Sequence, residues 1–176
     1  MDKGIKLRHL SLDLICAVLL IVFDQYTKNL AVIKLKDKTP FVLIDKVFEL
    51  NYLENRGAAF GMMQNKQWFF LIVSAVFVSL IVFILYRMPV QKKFFIAEII
   101  LVLLLSGAIG NMIDRVVQNY VVDFFYFVLI DFPVFNVADI YVTVSSVALF
   151  FFIMFGCKEE DLEFLKIRRS KKGSDE

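Results

Sequence analysis

The chain has 176 residues, 59% of them hydrophobic, and a mean hydropathy of +0.69, which excludes an ordinary soluble domain and points to a single membrane-embedded unit spanning 1–176. The formal net charge is only +2, and no basic patch with interleaved aromatics lies outside the tails, so no nucleic-acid partner is expected. The single histidine, His9, lies in a basic N-terminal stretch, which argues against a histidine-built zinc site and against a Ser-His or Cys-His nucleophile; no metal or cofactor is expected.

Taken in chain order, four apolar segments predict membrane-spanning helices over about 12–33, 68–86, 94–112 and 138–156. Inside lipid the backbone must satisfy its own hydrogen bonds, which favours helix over any open alternative. The first segment has a charged start and an unbroken LICAVLLIVF run, but DQYTK follows where a signal peptide would carry small residues for cleavage, so it reads as a retained helix. Cys16 and Cys157 form no CxxC pair and read as small apolar filler in or beside the spans.

Between the first two spans, FVLIDKVFELNYLEN alternates apolar residues and is rich in β-branched and aromatic types, which predicts a small β-sheet lying on the membrane face. Between the third and fourth, about 116–135 is too short to cross and return, and it predicts a second loop or short helix resting on the bundle or in the interface. The tail, 157–176, is charged throughout and reads as a solvated segment beside anionic headgroups. The expected fold is thus an all-α membrane protein of four transmembrane helices with these two outer segments. Twelve Lys and Arg fall on the side of the termini, against six on the other side that are mixed with acids, so both termini and the tail are expected in the cytoplasm.

Ionisable residues at membrane depth are candidates for function. Asp24 and Lys28 lie at i, i+4 in DQYTK and can pair on one helical face, where a structural ion pair fitting the helix end to the interface explains them. NRGAAFG, from Asn55, is turn-rich, and Gly57 allows a close backbone approach. SGAIGNMIDR offers small residues for close helix contact, then Asn111, Asp114 and Arg115 on one face. Asn136 and Asp139 at i, i+3 are what an N-cap with an acid at N3 looks like.

Asp123, in VVDF, changes that balance. It lies 16 residues before Asp139, at the other end of the same outer segment, so both carboxylates can reach one place near the membrane surface. Two carboxylates sharing a site do not both ionise easily. One then takes a proton from water while the other donates to a substrate carbonyl, which is aspartyl protease chemistry. A small proton-coupled transporter with intramembrane carboxylates is the alternative from a different class.

DQYTK, NRGAAFG, GAIGNMIDR, VVDF and FPVFNVAD, in that order among four apolar segments, resemble the lipoprotein signal peptidase (signal peptidase II) family over nearly the whole chain. The resemblance implies a multi-pass aspartic endopeptidase of the bacterial cytoplasmic (inner) membrane with its active site near the outer face. It implies removal of signal peptides from prolipoproteins by cutting just before a diacylglyceryl-modified cysteine. Membrane lipids are implied as surroundings, and a globomycin-type cyclic lipopeptide as an inhibitor. The implied catalytic pair is Asp123 and Asp139; Asn55, Gly57, Asn111, Arg115 and Asn136 match positions that bind substrate or support the pair, and Asp24 and Lys28 match the DxxTK element. Where members often carry a glycine six residues after the second aspartate, this chain has Ser145, which is still small.

Overall fold

A computed structural model describes residues 3–57 and 66–165. The end of NRGAAFG, 58–61, and the tail from 166 lie outside the described residues. Helix α1 runs Lys3–Leu35, then strands β1 (Phe41–Ile44) and β2 (Phe48–Asn55), helices α2 (Gln67–Arg87) and α3 (Phe95–Gln118), strand β3 (Val121–Tyr126) and helix α4 (Val137–Phe151). A π-helical turn, Phe152–Gly156, extends α4. Three segments among the described residues are long and apolar enough to cross a membrane: Gln67–Arg87, Lys92–Gln118 and Val137–Gly156. α1 is longer than any of them, but Asp13, Asp24 and Lys28 interrupt its apolar character.

α3 is the central helix and touches α1, α2 and α4. Its SGAIG stretch explains how. A Cβ at Gly107 would lie 2.6 Å from the Ala138 carbonyl oxygen of α4, and one at Gly110 would lie 2.6 Å from Asp24 Oδ2 of α1. Only glycine lets both neighbours approach this closely. Ser145 of α4 is buried, and its hydroxyl donates to the Tyr141 carbonyl, so the serine is absorbed by its own helix.

The second outer segment departs from expectation. It is neither a loop nor mainly a helix: β3 pairs antiparallel with β2, completing a three-stranded sheet in the order β1-β2-β3, and only the single turn Val128–Ile130 is helical. β3 has no polar face to show an alternation, because Val121, Val122, Asp123 and Phe124 are all buried. One side of the strand packs with Ala31 and Leu35 of α1 and Val137 of α4, which seats the sheet on one end of the bundle. Burying side chains the size of Val122 and Phe124 contributes about 1.5–3 kcal/mol each. Phe135 closes the segment by exchanging backbone hydrogen bonds with Phe125.

The start of the tail also departs from a solvated chain. Glu159–Leu165 forms a 3₁₀ segment whose Phe164 carbonyl accepts from Arg87 Nη2 at 2.7 Å and Nε at 3.1 Å. The Phe164 ring meets Phe94 edge-on, and Lys93 pairs with Asp161. Apolar residues hidden among the charges dock this stretch on the opposite end of the bundle from the sheet.

Candidate active site

Asn136 opens α4 as its N-cap. Its Oδ1 accepts from Asp139 N at 3.0 Å, and Asp139 Oδ2 accepts in return from Asn136 N at 3.1 Å, a complete capping box. The cap reading of these two residues is therefore correct as local structure. The remaining atoms do something else. Asn136 Nδ2 donates to Asp123 Oδ1 at 2.6 Å and to Asn111 Oδ1 at 3.1 Å, and Asn111 Nδ2 donates to Asp139 Oδ1 at 2.7 Å.

Asp123 arrives from β3. Its register opposite Leu53 of β2 brings Asn55 alongside, and Asn55 Nδ2 donates to Asp123 Oδ2 at 2.8 Å. Asn55 is itself fixed, since its Oδ1 accepts from Gly57 N at 3.0 Å. Glu54 next to it is pinned by Lys36 and Arg56, each at 3.0 Å, and Arg56 lies 5.2 Å from the Tyr120 ring centre. Each aspartate thus has both oxygens occupied by donors from asparagine side chains or backbone. Burial first, then the negative charge of Asp139, pushes the Asp123 carboxyl up to about 7. A carboxyl held there retains a proton near neutral pH that an ordinary aspartate would lose.

The two carboxylates open onto a cavity of about 470 Å³ whose walls include Asn55, Gly57 and Arg115 and the apolar run Phe132–Phe135. Ile140, Thr143 and Val144 of α4 line it as well. Arg115 forms no salt bridge with either aspartate, although both charges act on it. Its guanidinium sits 5.0 Å from the Phe70 ring centre, its Nη1 reaches the Asn111 carbonyl at a long 3.4 Å, and its buried Nε has no partner within the protein.

Asp24 and Lys28 do pair, and both are buried inside the protein, at 0% and 3% exposure. Lys28 Nζ pairs with Asp24 at 2.9 Å and Asp114 at 3.0 Å and donates to Asn111 at 2.9 Å. Asp24 Oδ1 accepts from Ala138 N in the first turn of α4, and Asp114 Oδ2 accepts from Val122 N in β3. Gln25 joins the group through Asp114 and the Gly110 carbonyl. Asp114, which spacing alone puts on one helical face with Asn111 and Arg115, joins them in space, whereas Gln25 carries no signal in the sequence. Asn55, Gly57, Arg115, Asp123 and Asp139 thus line one cavity, Asn111 and Asn136 are hydrogen-bonded to its two aspartates, and Asp24 and Lys28 connect to them through Asn111. Among the described residues no cluster of His, Cys, Asp and Glu has metal-site geometry.

Residues 16–155 match the family model of signal peptidase (SPase) II. A lipoprotein signal peptidase of Clostridioides difficile is 42% identical over 144 residues, covering 82% of this chain and 95% of that protein. One from Clostridium tetani is 41% identical over 159 residues, covering 89% of this chain and 99% of that protein. A solved bacterial membrane enzyme aligns with a TM-score of 0.72 at 28% identity, covering 92% of this chain and 95% of its own. With the family model matching most of its length and relatives this similar along nearly their whole sequences, the chain belongs to the signal peptidase II family.

Proposed function

We propose that this protein removes signal peptides from bacterial prolipoproteins by aspartyl-catalysed hydrolysis of the peptide bond before a diacylglyceryl-modified cysteine. The observation that carries the catalytic part is the hydrogen-bonded set that joins Asp123 and Asp139 through Asn136 and Asn111 at the mouth of the cavity. Asp139, third residue of α4, sits where a helix N-terminus favours an anion and serves as the base that takes a proton from the attacking water. Asp123 holds the proton and donates it to the scissile carbonyl as the tetrahedral intermediate forms. Asp139 then passes its proton to the amide nitrogen and Asp123 takes back the hydroxyl proton as the C–N bond breaks, leaving a carboxyl on the signal peptide and a free amine on the lipid-modified cysteine.

The remaining roles follow from position. Asn55 and Asn136 orient Asp123, and Asn111 orients Asp139. Arg115, with an unpartnered buried Nε beside the cavity, holds substrate carbonyls, and Gly57 fixes Asn55 while leaving room for the peptide. The apolar wall from Phe132 to Phe135 and α4 suits a substrate whose acyl chains stay in the bilayer. We place the enzyme in the cytoplasmic membrane as one unit over 1–176 with α1 as a fourth span, both termini in the cytoplasm and the cavity near the outer face. The excess of Lys and Arg on the terminal side supports that orientation. Globomycin-type lipopeptides are expected to block the same cavity, and the proposed chemistry calls on no cofactor. A proton-coupled transporter finds no support: Asp123 lies on a strand outside the helices and Asp139 in the first turn of α4, not midway along a span.

The test is cleavage of a lipid-modified prolipoprotein by the purified protein in lipid micelles, read by mass spectrometry. The product should begin at the modified cysteine, and globomycin should block its formation. Cleavage elsewhere, or equal cleavage of the unmodified precursor, overturns the assignment.

A further inference from the structure

A lysine ammonium carries three N–H donors and no acceptor. Lys28 directs these donors to three acceptors: a carboxylate oxygen of Asp24, one of Asp114, and Asn111 Oδ1. The third contact has a consequence the ion pairs lack. An asparagine amide can present either its oxygen or its NH₂ to a neighbour, and the two orientations have nearly the same shape. A cation cannot face the NH₂ end. With Lys28 on one side, Asn111 must turn its oxygen inward, and its NH₂ then faces Asp139 Oδ1 at 2.7 Å. Asn136 Nδ2, also a donor, reinforces the same orientation at 3.1 Å.

Resting on the aspartyl mechanism above, we infer that Lys28 is a positioning residue for the reaction: by locking the Asn111 amide with its donor toward Asp139, it makes Asp139 the carboxylate of the pair that carries the negative charge. Reversing the amide would set a carbonyl oxygen against a carboxylate, which favours a neutral Asp139 and exchanges the roles of the two acids. The charged groups that act on Asp139 include Asp123 from β3, Arg115 from α3 and Asp24 with Lys28 from α1, and Asp114 of α3 pairs with Lys28. Of these, Lys28 alone is hydrogen-bonded to an amide that in turn donates to Asp139.

Removing Lys28 alone would leave Asp24 and Asp114 buried together, and the protein would risk unfolding for that reason. The test therefore uses two charge-balanced double variants. Lys28→Gln/Asp24→Asn keeps an N–H donor for Asn111, and Lys28→Met/Asp24→Asn removes it. Thermal unfolding and the pH dependence of prolipoprotein cleavage are measured for both. The Met variant should lose about tenfold in kcat with KM nearly unchanged, and the acidic limb of its pH–rate profile should move up by about one unit. The Gln variant should keep the wild-type profile even where its stability falls by the same amount. Identical pH profiles in the two variants, whatever their stability, overturn the inference and leave Lys28 a structural ion-pair partner. Activity retained by Asp139→Asn would instead overturn the aspartyl mechanism itself, so the two failures are distinguishable.

Discussion

At the scale of single residues, Asn136 combines two tasks that the sequence presents as one. NxxD at a helix start is explained by capping alone, and the capping box is present. The sequence does not reveal that the amide's other end bridges to Asp123, because that contact depends on β3 returning beside α4. Asn136→Ser separates the tasks. Serine still caps, so the helix start is kept and stability should fall by about 1–3 kcal/mol from the acceptors left unpaired, while loss of the Nδ2 donor should lower kcat by about tenfold or more. Thermal unfolding and steady-state cleavage check both halves, and an unchanged kcat would reduce Asn136 to a cap. Lys28 is a parallel case. Its pairing with Asp24 is visible at i, i+4, but Asn111 and Asp114 lie more than eighty residues away, beyond any local pattern.

At the scale of elements, the site depends on how closely α4 and α1 approach α3. Gly107 and Gly110 set that distance, and their small side chains are legible in SGAIGNMIDR even though their partners are not. At Gly107 the obstacle to a methyl group is the Ala138 carbonyl, a backbone atom one residue before Asp139. Gly107→Ala should therefore push the first turn of α4 outward, destabilise the protein by about 1–3 kcal/mol and weaken cleavage more than the stability loss accounts for. A melting temperature and kcat equal to wild type would show that α4 yields without moving Asp139. The element least legible in the sequence is β3. A strand buried on both faces has no two-residue alternation, so VVDFFY looks the same as an apolar loop or helical stretch. The docked 3₁₀ segment at 159–165 was hidden for the opposite reason: its charges dominate the composition, while the Phe164 ring and carbonyl, beside one Lys93–Asp161 pair, make its docking contacts.

For the whole molecule, apolar segments and their spacing foretell the bundle, and the ordered motifs foretell the family, because both are written along the chain. What brings Asn55, Asn111, Asp123 and Asn136 together is long-range assembly of a sheet onto three helices, which the chain encodes only collectively. That assembly has a measurable cost in stability. Asp123, pushed from 3.8 to about 7 by burial and by Asp139, binds a proton more tightly folded than unfolded. Its contribution is fully present below about pH 4 and is lost as pH rises through about 7. Thermal stability should accordingly decline across that window, and Asp123→Asn should flatten the decline and exceed wild type at pH 8. Identical pH–stability curves would mean that Asp123 ionises as freely in the folded protein as in the unfolded chain. The central claim is that Asp123 and Asp139 perform the hydrolysis together. Single-turnover cleavage of a lipid-modified prolipoprotein by Asp123→Asn and by Asp139→Asn, each first shown to be folded, tests it directly. Each variant should lose at least about 10²-fold in rate. Cleavage within a fewfold of wild type by either folded variant would contradict it.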